Sequence, residues 1–489
     1  TERARNLFYG VWVPDLFVKT CGFDGGDTTW NLFSPDTAPG LDCVFDGMLV
    51  CDTCGYSPNI NYSKYVALPR AELCTKHYFI RVNAFTELYT KYSRENRHVA
   101  TVKATEILDA ICEAQIESGT PYVCFKDAIN RASSQTFDTI KSSNLCSEIM
   151  EVSSSTDYAT CTLASINLKA CVVNNEFDFV ELGRITRQLV VNLDNIIDRN
   201  SYPVIECFKT SKNYRPIGIG VQGLADVFMK LRIPYLSEVA EKLDIRIFET
   251  IYYNALVMSV NLANRHGEHT DFHKSPLKML NKFHFELVSS EVKLSGSIDW
   301  ESARHYVQAG VRNSLLIALM PTATTSHILG NVESFEPINS NIYTKTTING
   351  KFTIANTCMI RHLLELGLWN DDIKEKIIKN SGSLTGIPEI PVDVQQIYTT
   401  VWEMKQHKLM RRAALRNAFV DQSQSLNIYL NRNSIDILRG VFLTGYKLGL
   451  KTGIYYCRTR PNVTAFTGST GGAIVSTPPT TACEFSCTA

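Results

Sequence analysis

The chain has 489 residues, 49 Lys and Arg against 49 Asp and Glu, and 44% hydrophobic residues. That length allows a large buried core, and the balanced charge argues against a nucleic-acid polymer as partner. No apolar run approaches the roughly 20 residues of a bilayer-spanning helix, and fifteen cysteines without framework spacing argue against a secreted disulfide scaffold and for a cytoplasmic chain that uses thiols as reagents.

Periodicity predicts an α/β fold. Residues 7–13 read as a buried strand closed by Pro14, and residues 102–116 have helical spacing. Leu182, Ile185, Leu189, Leu193 and Ile196 form a helical stripe ending before Pro203. Residues 217–221 make a short apolar strand with close backbone approaches, and residues 315–320 are an apolar run of strand length stopped by Pro321. Ser434 is placed to cap a helix running to about Gly449, and residues 454–457 read as a further strand. Strands alternating with helices favour a parallel sheet, and the pattern alone does not choose between an open sheet and a barrel. The tail from about residue 462 is rich in Ser, Thr and Gly and reads as a flexible segment carrying Cys483 and Cys487; residues 1–461 form the body.

The densest chemistry lies in Asn144-Leu145-Cys146-Ser147-Glu148, with Cys161 fifteen residues after Cys146. On an extended backbone, alternate residues point the same way, so an amide, a thiol and a carboxylate would face one small substrate. Such a set suits a sugar with vicinal hydroxyls. Pro321, Thr322, Ala323, Thr324 and Thr325 follow a strand and open a helix, where free N–H groups and hydroxyls suit an anion; plain capping by threonine is the competing reading. Gly218, Gly220 and Gly223 have GxGxxG spacing, which alone is weak and is assigned no cofactor.

The runs SNLCSEI, CTLASINL, RPIGIGVQGLAD, MPTATT, DQSQSLN and YYCRTRP, in that order, resemble the large subunit of class I ribonucleoside-diphosphate reductase, eukaryotic and viral type. The resemblance implies a ten-stranded α/β barrel with the Cys146 loop threaded through its centre. It implies reduction of ribonucleoside diphosphates to 2′-deoxyribonucleoside diphosphates for DNA precursor synthesis. Cys146 would be the thiyl residue, Glu148 the base, Asn144 the orienting amide and Cys161 one of the reducing pair. Residues 321–325 would hold the substrate diphosphate; the family usually has Ser where this chain has Thr324, and the hydroxyl is kept. Tyr455 and Tyr456 would relay a radical, and Cys483 and Cys487 would shuttle electrons from thioredoxin or glutaredoxin. Cys457 stands where related chains often have an aliphatic residue, so its side chain is expected to point away from the relay. The 421–427 run is read as structural polar packing near the site. The chain itself would bind no catalytic cofactor, the radical coming from a metal-containing small subunit.

The family's second reducing cysteine lies upstream of the position where Thr1 aligns, so the chain is expected to be the C-terminal portion of a large subunit, lacking its N-terminal region, and to form a homodimer. The alternative is a catalytically incomplete fragment or homologue that binds the small subunit without turnover. One segment, about residues 48–83, interrupts the resemblance and carries Cys51-x-x-Cys54 and Cys74-x-x-His77. Four soft ligands in two close pairs suit tetrahedral zinc, against a loop with chance cysteines or a translated intron.

Overall fold

The structure is a computed structural model that describes residues 7–22, 29–65, 77–288, 292–347 and 350–460. Cys74, Cys483 and Cys487 lie outside the described residues, as does the tail from residue 461.

An arc of parallel segments forms the centre. The strand Gly218–Gln222 pairs with Leu163–Asn167, Ile219 facing Ala164 and Val221 facing Ile166. On its other side Ile219 bridges Ile317, and Leu319 in turn bridges Gln424, both in parallel. Gly218–Gln222 is buried throughout, as a strand covered on both faces must be. Its glycines serve packing. A Cβ on Gly220 would lie 2.4 Å from Met320 Sδ, and one on Gly218 would lie 2.4 Å from Leu163 Cδ2. The GxGxxG spacing is therefore explained by neighbouring segments pressing on the strand.

A second group joins Gly10–Val13 to Tyr122–Phe125 in parallel, with Thr452–Ile454 antiparallel to Tyr122–Phe125. Ile428–Leu430 pairs in parallel with Cys457–Thr459. Among the described residues these strands form separate short sheets, and the closed ten-stranded ring implied by the resemblance is not seen. Residues 315–320 show one physical cause. The Asp421 carboxylate accepts the N–H groups of Leu316 (2.8 Å) and Ile317 (2.7 Å), so a side chain fills ladder positions that a neighbouring strand would otherwise take.

Helices cover these strands. Phe179–Arg199 and Glu238–His266 pack on one another, each opened by a side-chain cap, Asp178 accepting from Glu181 N–H and Ser237 from Ala240 N–H. The buried stripe of the first runs Leu182, Thr186, Val190, Leu193, Ile197. Ile196 is instead 48% exposed, because steps of four and three residues follow the 3.6-residue turn through Ile197. Ser434 caps Ile435–Lys447 as expected. The first strand begins at Gly10, leaving Leu7 and Tyr9 exposed, and the predicted 454–457 strand is broken in two with Tyr455 and Tyr456 at the break. No helix among the described residues is long and apolar enough to cross a membrane.

Deep in the core, Asp244 accepts from Arg412 Nε (3.0 Å) and Nη2 (2.9 Å) and from Arg416 Nη1 (2.8 Å), all three residues being buried. Removing the shared anion strands two guanidinium ions in a dry site. Asp244→Asn is expected to cost about 3–5 kcal/mol, read as a fall in the urea midpoint.

The 48–83 segment is built on a hairpin, Asp46–Cys51 antiparallel to Phe79–Asn83. Val44, Met48, Val50, Ala84, Phe85 and Leu88 give it an apolar cluster distinct from the main core.

Candidate functional site

Residues 144–147 form a tight turn, which corrects the extended geometry expected from the sequence. The Asn144 carbonyl accepts the Ser147 N–H at 3.3 Å, and Ser147 takes a left-handed φ of 62°. Folding back brings the two polar ends together by another route. Asn144 Nδ2 donates to Glu148 Oε1 at 2.8 Å, while Asn144 Oδ1 accepts the Ile149 N–H at 3.2 Å.

The 421–425 segment cradles this turn. Ser423 N–H donates to the Glu148 carbonyl (2.9 Å), and Gln422 Oε1 accepts the Met150 N–H (3.0 Å). The Ser425 hydroxyl donates to the Cys146 carbonyl at 2.7 Å and lies 3.2 Å from Glu148 Oε2. Thr452 donates to the Ser147 carbonyl at 2.7 Å. Behind the cradle, buried Lys451 donates to the carbonyls of Val420, Asp421 and Gln422. Ser425 thus belongs to the site itself, beyond the structural packing read from the sequence.

Glu148 is 2% exposed. Burial lifts its carboxyl above the ordinary carboxylate range, and the hydrogen bonds from Asn144, its own backbone and Ser425 offset only part of this. The Tyr455 hydroxyl is hydrogen-bonded to the Cys146 thiol. Burial, the Cys146 sulfur and the neighbouring Tyr456 and Glu148 all push this phenol far above its usual range, so it stays protonated. The Tyr455 and Tyr456 rings lie 4.4 Å apart, with Phe8 5.1 Å from Tyr456 and 6.2 Å from Tyr455. Their backbone is pinned to the 426–428 segment: Tyr455 N–H donates to Leu426 (2.7 Å), and Ile428 N–H donates to Tyr456 (2.9 Å). Cys457 is buried in the main core beside Cys112, its thiol pushed up to about 12 by burial.

Cys161 is exposed, just ahead of the strand Leu163–Asn167. The helix Ala323–Leu329 opens where expected, with Ala323, Thr324 and Thr325 exposed beside half-buried Pro321. Thr322 is buried and does not cap it; its hydroxyl accepts the Ser334 N–H at 2.7 Å. The sequence reading missed Glu336, which accepts from Asn427 Nδ2 (3.1 Å) and the Tyr429 hydroxyl (3.0 Å). Burial and the nearby Glu333 push Glu336 up to about 7. Asn427 closes the polar 421–427 run, the one signal that pointed here.

A buried acid, an amide and a thiol in one turn, joined to two phenols, fit the family model described as ribonucleotide reductase, barrel domain; that model matches residues 1–456, and the chain belongs to this family. Its curated relatives are reductase large subunits. It is 43% identical over 462 residues to the ribonucleoside-diphosphate reductase large subunit of Plasmodium falciparum, covering 94% of this chain and 52% of that protein. It is 42% identical over 463 residues to that of Danio rerio (94% and 53%), and 41% identical over 464 residues to that of Variola virus (94% and 54%). The chain thus spans about half the length of the curated relatives it matches. Among solved structures it resembles the Actinobacillus ureae class Id ribonucleotide reductase alpha subunit, with a TM-score of 0.60 and 26% identity over 73% of this chain and 61% of that one.

Proposed function

We propose that this chain is the catalytic barrel portion of a reductase that converts ribonucleoside diphosphates to 2′-deoxyribonucleoside diphosphates. The observation that carries this reading is the Cys146 turn, where the thiol meets the Tyr455 hydroxyl and the Asn144 amide meets Glu148 at 2.8 Å. In the family's full-length proteins the strands complete a ten-stranded barrel; we assign residues 1–461 to that domain and the remainder to a redox tail.

The chemistry follows from these groups. Hydroxide is a poor leaving group from C2′, and a radical at C3′ makes its loss feasible. A Cys146 thiyl takes the 3′-hydrogen and becomes a thiol. Glu148 takes the 3′-hydroxyl proton as the 2′-oxygen leaves as water, with Asn144 holding the hydroxyls in register. A dithiol that includes Cys161 supplies two electrons and two protons, one to the departing 2′-oxygen and one to C2′, and becomes a disulfide, while Glu148 returns its proton to the 3′-oxygen. The 3′-hydrogen then returns from Cys146 and the thiyl is restored. Cys483 and Cys487 exchange with the disulfide and are themselves reduced by a thioredoxin or glutaredoxin. Exposed Thr324 and Thr325, with Pro321, Thr322 and Ala323, form the diphosphate cradle.

The radical comes from a metal-bearing small subunit through Tyr456 and Tyr455. Tyr455→Phe removes the hydroxyl on Cys146 while keeping the ring, so turnover is expected to fall below detection with nucleotide affinity unchanged. The test is deoxynucleotide formation by the full-length large subunit with its small subunit and dithiothreitol. No product from the unaltered protein, with small-subunit binding retained, would favour the non-catalytic alternative.

A further inference from the structure

Sulfur and imidazole donors meet at the open end of the hairpin formed by Asp46–Cys51 and Phe79–Asn83. Cys51 ends the first strand, opposite Phe79. The chain then turns sharply: Cys51 N–H donates to the Tyr56 carbonyl (2.7 Å), and Gly55 N–H to the Cys51 carbonyl (2.8 Å). Gly55 has φ 70°, a region glycine enters without steric cost. This turn sets Cys54 beside Cys51 and directs the N–H groups of Thr53 and Cys54 at the Cys51 sulfur. On the returning side, Asp52 N–H donates to the Tyr78 carbonyl at 2.9 Å, which brings His77 alongside. The His77 ring stacks on Tyr56 at 4.7 Å and 22°, with Phe79 at 5.6 Å, so its orientation is held.

The ligand atoms of Cys51, Cys54 and His77 all lie within 4.8 Å of one another, and Cys54 Sγ is 3.4 Å from His77 Nδ1. A tetrahedral zinc ion, with bonds of about 2.3 Å to sulfur and about 2.0 Å to nitrogen, holds an adjacent sulfur and nitrogen roughly 3.5 Å apart. The observed pair is therefore spaced for two vertices of one ion.

We propose that Cys51, Cys54 and His77 bind one zinc ion that staples the base of the long excursion between them. Both cysteines bind as thiolates, so uptake releases their protons, and neutral His77 binds through Nδ1. Closing a long loop is entropically unfavourable, and three bonds to a single ion offset that cost where the loop leaves and rejoins the hairpin.

The test is metal content and a cobalt spectrum of the full chain, purified reduced and without chelators. One zinc per chain is expected, and cobalt(II) in its place should show tetrahedral visible bands and a thiolate charge-transfer band in the near ultraviolet. Cys51→Ser, Cys54→Ser and His77→Ala should each lose the zinc. Should these variants fail to fold, the cobalt spectrum of the unaltered chain decides the matter without any substitution. Cys74→Ser supports the site either way: retained zinc leaves a fourth vertex to solvent, and lost zinc adds a fourth protein ligand. A reduced chain with no stoichiometric zinc and no charge-transfer band on cobalt addition overturns the proposal. So does full zinc content in a folded Cys51→Ser, Cys54→Ser double variant. Neither readout depends on nucleotide reduction, so this site and the reductase activity fail separately.

Discussion

Cys146→Ser is expected to abolish deoxynucleotide formation, with a loss of at least about 10⁴-fold, roughly 5 kcal/mol of barrier. Serine matches the thiol in size and still offers Tyr455 a hydrogen-bonding partner. Its O–H bond is too strong for a tyrosyl radical to break, so no hydrogen-abstracting species forms. Nucleotide binding, followed by equilibrium dialysis, should stay within about twofold, because truncating uniform binding and removing a transition-state reagent are separable. The assay requires the full-length large subunit, the small subunit and dithiothreitol as bulk reductant, which bypasses the tail thiols. Residual turnover within tenfold of the unaltered protein would mean that another group takes the hydrogen.

Glu148→Gln separates chemistry from stability. The amide keeps an acceptor for Asn144 Nδ2 and offers Ser425 a donor in place of the carboxylate's second oxygen. It cannot take a proton, so kcat is expected to fall about 10²–10⁴-fold. Stability should move the other way. The folded protein holds the Glu148 carboxyl above its ordinary value, chiefly through burial. Between the unfolded and folded pKa values the native state binds more protons, so stability falls as pH rises through that window. At neutral pH the charged form is a burden on the folded state that glutamine does not carry. Urea unfolding should therefore show a higher midpoint for the variant at pH 7 and a difference that shrinks in acid. A lower midpoint at pH 7 would show that the hydrogen bonds to the carboxylate outweigh its burial.

The site was legible where its chemistry is contiguous. Asn144, Cys146 and Glu148 stand within five residues, and the Asn144–Glu148 contact follows even though the backbone turns where an extended segment was expected. The turn itself was hidden, since Ser147 enters the left-handed region without being glycine. Ser425 was read as packing because its partner Glu148 lies 277 residues away, and no local pattern reports such a contact. Residues 315–320 show the same limit in the fold. Their apolar run announces a buried strand, but their hydrogen bonds go partly to the Asp421 side chain, which periodicity does not sense. The glycines of Gly218–Gln222 were legible as close approaches, whereas Met320 and Leu163 as the atoms approached came only with the structure.

The burial of Cys457 has a consequence for the electron hole that the tyrosines would carry. Oxidising a thiol requires shedding its proton, and burial pushes Cys112, Cys124 and Cys457 up to about 12 and Cys171 up to about 11. Buried and protonated, these sulfurs present no thiolate, the form that gives up an electron most readily. In the proposed relay the protein wall would then act as cladding, with Cys146, in contact with Tyr455, as the sulfur at which the charge would be delivered.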